Sequence, residues 1–176
     1  MLKRFHYTDK ELEKVCKSIV ILIDGREKSN QHITDWFDKK KIKWKSKALD
    51  QGDYSFYIPA NPDFNIDRDL YFDKEIMVER KNSLDEIAGN FTTHRARFEE
   101  ELAIFPGKKY LLLERSTYGD IIEGNYKAKL NAKSFIGTLH SFNHRYNIEV
   151  VFMPDRNHSA AWLYGTFLYY LRNILK

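Results

Sequence analysis

Four short, continuous apolar runs constrain the fold of this chain more than any other feature. They read SIVILID (18–24), EIMV (75–78), KYLLL (109–113) and IEVVFM (148–153). Each has the length of a buried strand, and segments with helical periodicity lie between them. With two further strands over 42–49 and 54–59, the order α-β-α-β-β-β-α-α-β-α-α-β-α predicts an α/β fold. We expect a mixed central β-sheet flanked by helices on both faces.

Capping residues predict where several helices begin. Thr8 with Glu11, and Ser83 with Glu86, have the spacing of capping boxes, which predicts helices that begin at about 9 and 84. The first helix is predicted over 9–17. Further helices are predicted over about 31–40, 93–105, 118–123, 132–146 and 157–175. The polar stretch 60–69 is predicted to be a loop.

Composition excludes several classes of protein. The chain has 176 residues, of which 43% are hydrophobic, so we expect one globular domain and not a disordered chain. No apolar run approaches the ~20 residues of a membrane helix, and the basic N-terminus lacks a signal-peptide core, which predicts a cytoplasmic protein without a membrane partner. The single cysteine, Cys16, excludes an internal disulfide and a cysteine-based zinc cluster.

The charge of the chain is compatible with a polyanionic partner but does not require one. The formal net charge is +4. Basic residues cluster in KKKIKWKSK (39–47), HRAR (94–97) and NYKAKLNAK (125–133). Each run is interpreted as a solvated face or as a contact with nucleic acid, and the sequence leaves both open.

Carboxylates are predicted at the ends of successive strands. Asp24 ends the first strand, Asp53 follows the Gly52 turn and begins another, and Glu79 ends the run EIMVE. Strand ends in α/β sheets lie close together, and like charges raise one another's pKa unless a cation compensates. Mg²⁺ is the usual compensating cation because it prefers carboxylate and phosphate oxygens. The pattern therefore indicates a metal site at this edge of the sheet.

The charged side chains from Glu79 onward point to alternate faces of the predicted strand. Lys81 is two residues away and points to the same face as Glu79. A metal-binding acid beside an ammonium group suits phosphodiester hydrolysis, because the metal acidifies its bound water and the lysine offsets negative charge. Arg80 points to the other face, where we expect it to hold a nearby carboxylate or the strand end. The alternative is a strand end whose charges are only solvated.

Three motifs in order resemble the nuclease domain of the XPF-type structure-specific endonucleases. IDGRE (23–27) is similar to an Asp-x-Arg-Glu element, QGDYSF (51–56) to a Gly-Asp turn, and VERKNSLDEIAG (78–89) to a Glu-Arg-Lys-x-x-x-Asp signature. The resemblance covers about 19–153 and implies a restriction-endonuclease-like core. Residues 1–176 are then expected to form a single nuclease domain, with the helices over 9–17 and 157–175 outside that core.

The resemblance implies a metal-dependent endonuclease that cuts branched or flapped DNA formed in repair, recombination or replication. Asp53 and Glu79 would bind Mg²⁺ directly, and Mn²⁺ would substitute for it. Asp24 and Glu27 would bind the metal or support its ligands, and Lys81 would stabilise the transition state. The main-chain carbonyl of Arg80 is a possible third ligand.

Several charged residues near these motifs keep two interpretations. Asp85, one turn into the next helix, would hold Arg80, Lys81 or a metal-bound water. Arg26 would contact a DNA phosphate or form a salt bridge with one of the acids. In the helix that follows, Arg95 or Arg97 is expected to contact the DNA backbone, with surface pairing to Glu99 or Glu101 as the alternative. Glu114 ends a strand near the predicted site and is interpreted either as part of that site or as a strand-end surface charge.

Two departures from the family pattern leave other functions open: the chain after Met153 is short, and the long polar loop over 60–69 resembles an insertion. About twenty residues follow Met153, so we expect no helix-hairpin-helix module, and a chain this short suits a bacterial or phage-infected cell. A homodimer is possible, because the last helix has aromatic residues that suit a core or a dimer face. The alternative functions are a catalytically silent DNA-binding partner of a heterodimeric nuclease, and an interaction domain whose acids only form salt bridges.

Overall fold

The computed structural model describes residues 6–176. Its helices are α1 (Asp9–Lys17), α2 (Gln31–Lys39), α3 (Leu84–Phe91), α4 (Arg95–Ile104), α5 (Tyr118–Glu123), α6 (Ala132–Tyr146) and α7 (Ser159–Leu175). Its strands are β1 (Val20–Ile23), β2 (Trp44–Ser46), β3 (Tyr54–Ile58), β4 (Leu70–Tyr71), β5 (Ile76–Lys81), β6 (Lys108–Glu114) and β7 (Ile148–Met153). None of the helices within this range is long and apolar enough to span a bilayer.

The strands form one mixed sheet in the order β2-β1-β3-β5-β6-β7, and the short β4 pairs with the far end of β3. β3 runs antiparallel to both of its neighbours, whereas β1 and β2, β5 and β6, and β6 and β7 are parallel pairs. Tyr54 at the start of β3 pairs with Ile23 at the end of β1 and with Val78, one residue before Glu79 in β5. This register brings the predicted acidic strand ends to one edge of the sheet.

Helices cover both faces of the sheet, as predicted. On one face, α1, α2 and α7 pack on β1, β3 and β5 in a first core cluster. On the other face, α3, α4 and α6 pack on β5, β6 and β7 in a second core cluster. Strand β5 contributes to both core clusters: Ile76 and Val78 belong to the first cluster, and Met77 belongs to the second. Side chains of β5 therefore alternate between two covered faces.

The second predicted capping box is only half formed. At α1 the box is complete: the Thr8 hydroxyl accepts from the Glu11 N–H, and the Glu11 carboxylate accepts from the Thr8 N–H. At α3 the Ser83 hydroxyl accepts from the Glu86 N–H at 3.3 Å, but the Glu86 carboxylate accepts from the Asn82 N–H at 2.8 Å. Glu86 thereby stays beside the end of β5.

The polar segment predicted as a loop has more structure than its composition indicates. Pro62–Phe64 forms a 3-10 turn, and a bridge between Asn61 and Ile66 closes it. Ile66 is buried in the first core cluster. Leu70–Tyr71, the strand β4, was not predicted, because a two-residue strand leaves no periodic signal.

Candidate active site

A cleft of about 340 Å³ opens where β1 and β5 end and β3 begins. The strand ends contribute acids and a lysine to its lining, and α4 contributes one helical face. These side chains are Asp24, Asp53, Glu79 and Lys81 from the strand ends, Arg97 and Glu101 from α4, and His94 directly before α4. The cleft therefore brings together residues that are distant in the sequence. The strand-end acids and Lys81 were predicted for the site, and Arg97 was predicted as a candidate DNA contact.

Asp53 is fixed between two neighbouring strands by its backbone. Its N–H donates to the Val78 carbonyl at 2.9 Å, and its carbonyl accepts from the Asp24 N–H at 2.8 Å. Its carboxylate accepts a hydrogen bond from the Arg80 N–H at 2.8 Å. One Asp53 oxygen is thus anchored to β5, and the side chain borders the cleft.

Glu79 and Lys81 share a face of β5, which confirms the prediction from strand alternation. Lys81 Nζ donates to Glu79 Oε1 at 2.8 Å, and both side chains are largely buried. The ammonium group also lies 5.6 Å from the ring centroid of Phe98 on α4. Helix α4 therefore forms the side of the cleft next to this ion pair.

Burial dominates the electrostatics of the two acids. Burial, together with the charges of Glu79 and Glu27, raises the pKa of Asp53 well above its ordinary value. Burial also raises the pKa of Glu79, although Lys81 partly offsets this effect. Burial opposes the charge of Lys81 as well, but Glu79 outweighs it and raises the pKa of the lysine. Two carboxyl groups that resist ionisation are stabilised in their charged forms when a cation binds beside them.

The donor set suits a hard divalent cation that is shared with a substrate. Among residues 6–176, no three His, Cys, Asp or Glu side chains lie close enough to hold a metal ion by themselves. Asp53 and Glu79 offer two carboxylates in one cleft. Mg²⁺ is commonly bound by one or two carboxylates, with waters and substrate phosphate oxygens as the other ligands.

Asp24 lines the cleft, but hydrogen bonds already occupy its carboxylate. It accepts from the N–H and the Nε of Arg26 and from the Leu49 N–H, each at 2.8 Å. Burial would raise the pKa of Asp24, but these hydrogen bonds outweigh it and lower that pKa. Of the two interpretations of Arg26, the structure shows the salt bridge, although 69% of the arginine side chain stays exposed. A direct metal contact by Asp24 would require these bonds to break.

Arg80 lies on the opposite face of β5 in a buried polar network. Its guanidinium donates to Glu27 and Glu114, in each case at 2.8 Å, and to the Lys28 carbonyl at 2.7 Å. His32 Nε2 lies 2.8 Å from the other Glu114 oxygen. The interpretation of Glu114 as a surface charge is wrong, because the residue is 0% exposed. Arg80 thus joins the β1–α2 loop to the ends of β5 and β6.

Asp85 does not form the predicted contacts with Arg80 or Lys81. Its carboxylate accepts hydrogen bonds from the backbone N–H groups of Lys127 and Ala128, both at 2.7 Å. It therefore anchors the loop between α5 and α6. The residue of α3 that approaches Lys81 is instead Glu86, whose Oε1 lies 4.0 Å from Lys81 Nζ.

Arg95 and Arg97 both form the pairs that were the alternative to DNA contact. Arg95 approaches Glu99 at 3.4 Å, and Arg97 Nε donates to Glu101 at 2.9 Å. Only Arg97 lines the cleft. The Arg97 side chain is 75% exposed.

A second recess of about 270 Å³ lies on the other side of Asp53. Asn82 and Glu86 contribute to its lining, together with Glu27 and Lys28 from the β1–α2 loop. Sequence reasoning did not assign Asn82 or His32 to the site. Asn82 directly follows the Glu-Arg-Lys motif, which is a usable signal, whereas His32 has none because its partner is 82 positions away.

Comparisons with known proteins identify the family and the fold of this chain. The sequence matches the ERCC4 domain family over residues 23–166. XPF from Aeropyrum pernix is similar in fold, with a TM-score of 0.61 and 15% identity, over 88% of this chain and 66% of that chain. The structure described as XPF from Aeropyrum pernix in complex with DNA gives a TM-score of 0.59 and 16% identity, over 88% and 64%.

The chain spans slightly less than two thirds of the length of those two structures. A search of curated proteins found no match. The family match nevertheless extends from β1 into α7 and includes the Gly-Asp turn and the Glu-Arg-Lys strand. The chain therefore belongs to the ERCC4 domain family and has the fold of an XPF-type nuclease domain.

Proposed function

We propose that this chain is a divalent-metal-dependent endonuclease that hydrolyses phosphodiester bonds in branched or flapped DNA. The observation that carries the proposal is the cleft in which Asp53, Glu79 and Lys81 converge. Family membership supports a nuclease, and one similar structure is described as a complex with DNA. A single domain over residues 1–176, in a DNA-processing role inside the cell, is part of the proposal.

Asp53 and Glu79 would hold Mg²⁺ or Mn²⁺, which supplies a polarised phosphate and an acidified water. The Arg80 N–H keeps the Asp53 carboxylate oriented toward the cleft. Lys81 stays protonated because Glu79 raises its pKa, so its ammonium group donates hydrogen bonds where negative charge develops on the phosphate. Arg80 contributes from the other face by fixing the ends of β5 and β6.

Arg97 is proposed to contact the DNA backbone at the mouth of the cleft, and Arg26 beside it has an exposed guanidinium. The Arg97–Glu101 pair lies near solvent and costs little to exchange, whereas the Asp24 carboxylate paired with Arg26 is 2% exposed and would be costly to leave unpaired. Arg95 is a weaker candidate because its guanidinium lies over the Phe142 ring. Contacts of this kind position a strand without reading its sequence, so DNA structure is the expected basis of selection.

The test is Mg²⁺-dependent cleavage of labelled duplex, single-stranded, flapped, forked and four-way-junction DNA. We expect Glu79→Gln and Asp53→Asn each to reduce cleavage by at least about 100-fold, because each removes a charge that stabilises the transition state. DNA binding measured in EDTA should survive both changes. Asp67→Asn is the matched control, since it removes an exposed carboxylate outside the cleft.

Two results would count against the proposal in different ways. If Glu79→Gln cuts as fast as the unaltered protein, the assignment of the cleft as the active site is wrong. If the unaltered protein binds these DNAs but cuts none of them with Mg²⁺ or Mn²⁺, the silent DNA-binding subunit is the better description.

A further inference from the structure

The face of the sheet that carries Asp53 and Glu79 is only partly covered by helices. The core cluster under α3, α4 and α6 takes its sheet residues from β5, β6 and β7, and, within residues 6–176, none from β1, β2 or β3. Val20 and Leu22 lie on this face of β1 and belong to neither core cluster. The second core cluster therefore ends at β5, and side chains of β2, β3 and β4 continue this face of the sheet beyond it.

Those side chains combine two lysines with two stacked tyrosines. Tyr57 on β3 and Tyr71 on β4 are paired across the strands, with ring centroids 4.9 Å apart and planes 14° from parallel. Lys45 Nζ lies 4.1 Å from the Tyr57 ring centroid and donates to the Tyr71 hydroxyl at 3.0 Å. Lys47 Nζ lies 5.4 Å from the Tyr71 ring centroid. We name these four residues the tyrosine–lysine patch.

The register shows that this patch lies on the same face as the candidate active site. Leu22 pairs with both Lys45 and Ser55, so these two residues project to one side. Ser55 stands between Asp53 and Tyr57 at a spacing of two residues, which keeps all three on that side. Four residues along a strand correspond to about 13 Å, so Tyr57 lies at roughly that distance from Asp53.

Protection of a sheet edge explains the patch only in part. β2 is an edge strand, and lysines on such strands discourage pairing with other chains. That role does not require stacked tyrosines, one of which is 40% exposed. Lys47 is paired with Asp73 at 2.6 Å, whereas Lys45 has only the tyrosines as partners within the described residues. The patch therefore presents an aromatic surface with a cation that no acid neutralises.

We propose that the tyrosine–lysine patch binds an unpaired segment of the nucleic-acid substrate, with a base against Tyr71 and a phosphate at Lys45. Aromatic side chains stack on bases of any sequence, and basic residues beside them hold the backbone. Bases inside a duplex are already stacked on one another, so the exposed ring favours an unpaired strand. This inference rests on the proposed function and adds to it a single-strand subsite a few nucleotides from the scissile phosphate.

The test measures binding without cleavage. The full chain with Glu79→Gln, in EDTA, is titrated by fluorescence anisotropy against a duplex with blunt ends and against duplexes with a six-nucleotide single-stranded tail of either polarity. We expect a tail of one polarity to tighten binding. Tyr71→Leu and Lys45→Ala should each weaken binding to that tailed duplex by about tenfold and leave binding to the blunt duplex unchanged.

Matched variants separate this subsite from general effects. Tyr71→Phe should retain the gain from the tail, because the ring remains. Tyr169→Leu on α7 and Lys39→Ala, from the same basic run as Lys45, should change nothing. Thermal melting of every variant checks that it is folded.

The inference is overturned if neither tail tightens binding, or if Tyr71→Leu weakens the blunt and tailed duplexes equally. Because the measurement uses a non-cutting protein, it is independent of catalysis. A gain from the tail in a chain that never cuts DNA would support the subsite and reject the nuclease.

Discussion

At the residue scale, the charged side chains of strand β5 lie on two different faces of the sheet. Glu79 and Lys81 enter the cleft, whereas Arg80 between them is buried against Glu27 and Glu114. Arg80 is therefore a structural residue for the site, and its backbone N–H still touches Asp53. The three consecutive charges of the motif serve two faces of one sheet.

The stability of the chain should depend on the ionisation of Asp53. Its pKa is raised in the folded state by burial and by the charges of Glu79 and Glu27. Its favourable contribution is complete below the pKa of about 3.9 in the unfolded chain and is lost as the pH rises through the higher folded pKa. We expect Asp53→Asn, which cannot ionise, to be more stable than the unaltered protein at pH 7 in EDTA, by about 1 kcal/mol.

Urea unfolding at pH 7 and pH 4 measures this difference. The advantage of Asp53→Asn should shrink at pH 4, where the folded aspartate is protonated and its burial no longer opposes a charge. Millimolar Mg²⁺ should stabilise only the unaltered protein, by mass action on its folded state. A variant less stable than the unaltered protein at pH 7 in EDTA would contradict the assigned cost of ionising Asp53.

The sequence predicted which residues line the cleft better than it predicted their contacts. Alternation along β5 is a local rule, so the faces of Glu79 and Arg80 followed from the sequence. Partners of Asp85 and Glu114 did not, because they lie 42 or more and 34 or more positions away and depend on how loops pack. Hydrogen bonds across such distances leave no periodic trace.

At the scale of elements, local signals placed most boundaries. The capping residues Thr8 and Ser83 gave the starts of α1 and α3, and apolar runs gave β5, β6 and β7. The sequence predicted the turn at Gly52 but did not show that this turn requires glycine. Gly52 has a φ of +74°, and a Cβ there would lie 2.8 Å from the Met77 Cβ. The turn that presents Asp53 therefore requires glycine for conformation and for space.

Gly52→Ala should destabilise the protein and displace Asp53. A left-handed alanine costs roughly 1–2 kcal/mol, and the approach to Met77 adds strain. The matched control is Gly137→Ala in α6, where an added Cβ would have no neighbouring atom within 4 Å. This change should stabilise the protein by about 0.5–1 kcal/mol. Urea unfolding measures both effects, and Mg²⁺-dependent cleavage should fall only for Gly52→Ala. Equal unfolding free energies for the two variants would show that the turn tolerates a side chain.

At the scale of the whole molecule, one sheet is shared by two core clusters. β5 contributes to both, since Val78 faces one cluster and Met77 the other. Of the aromatic residues of α7, which the sequence left between core and dimer face, Phe167 is fully buried in the first core cluster, whereas Tyr169 is 59% exposed. A shared sheet predicts that both halves unfold together, which is what a single domain requires.

The positions of the tryptophans make that expectation testable. Trp36 and Trp162 pack against the first core cluster, and the Trp44 indole donates to Asp38 on α2 on the same side. Phe142→Ala changes only the second cluster, where Phe142 is 1% exposed, and should cost about 3–5 kcal/mol. If the chain is one cooperative unit, tryptophan fluorescence and far-UV circular dichroism should report the same lowered urea midpoint. Phe167→Ala, in the first cluster, should lower both signals together in the same way. A fluorescence midpoint that stays unchanged in Phe142→Ala, while the dichroism midpoint falls, would show two separately unfolding halves.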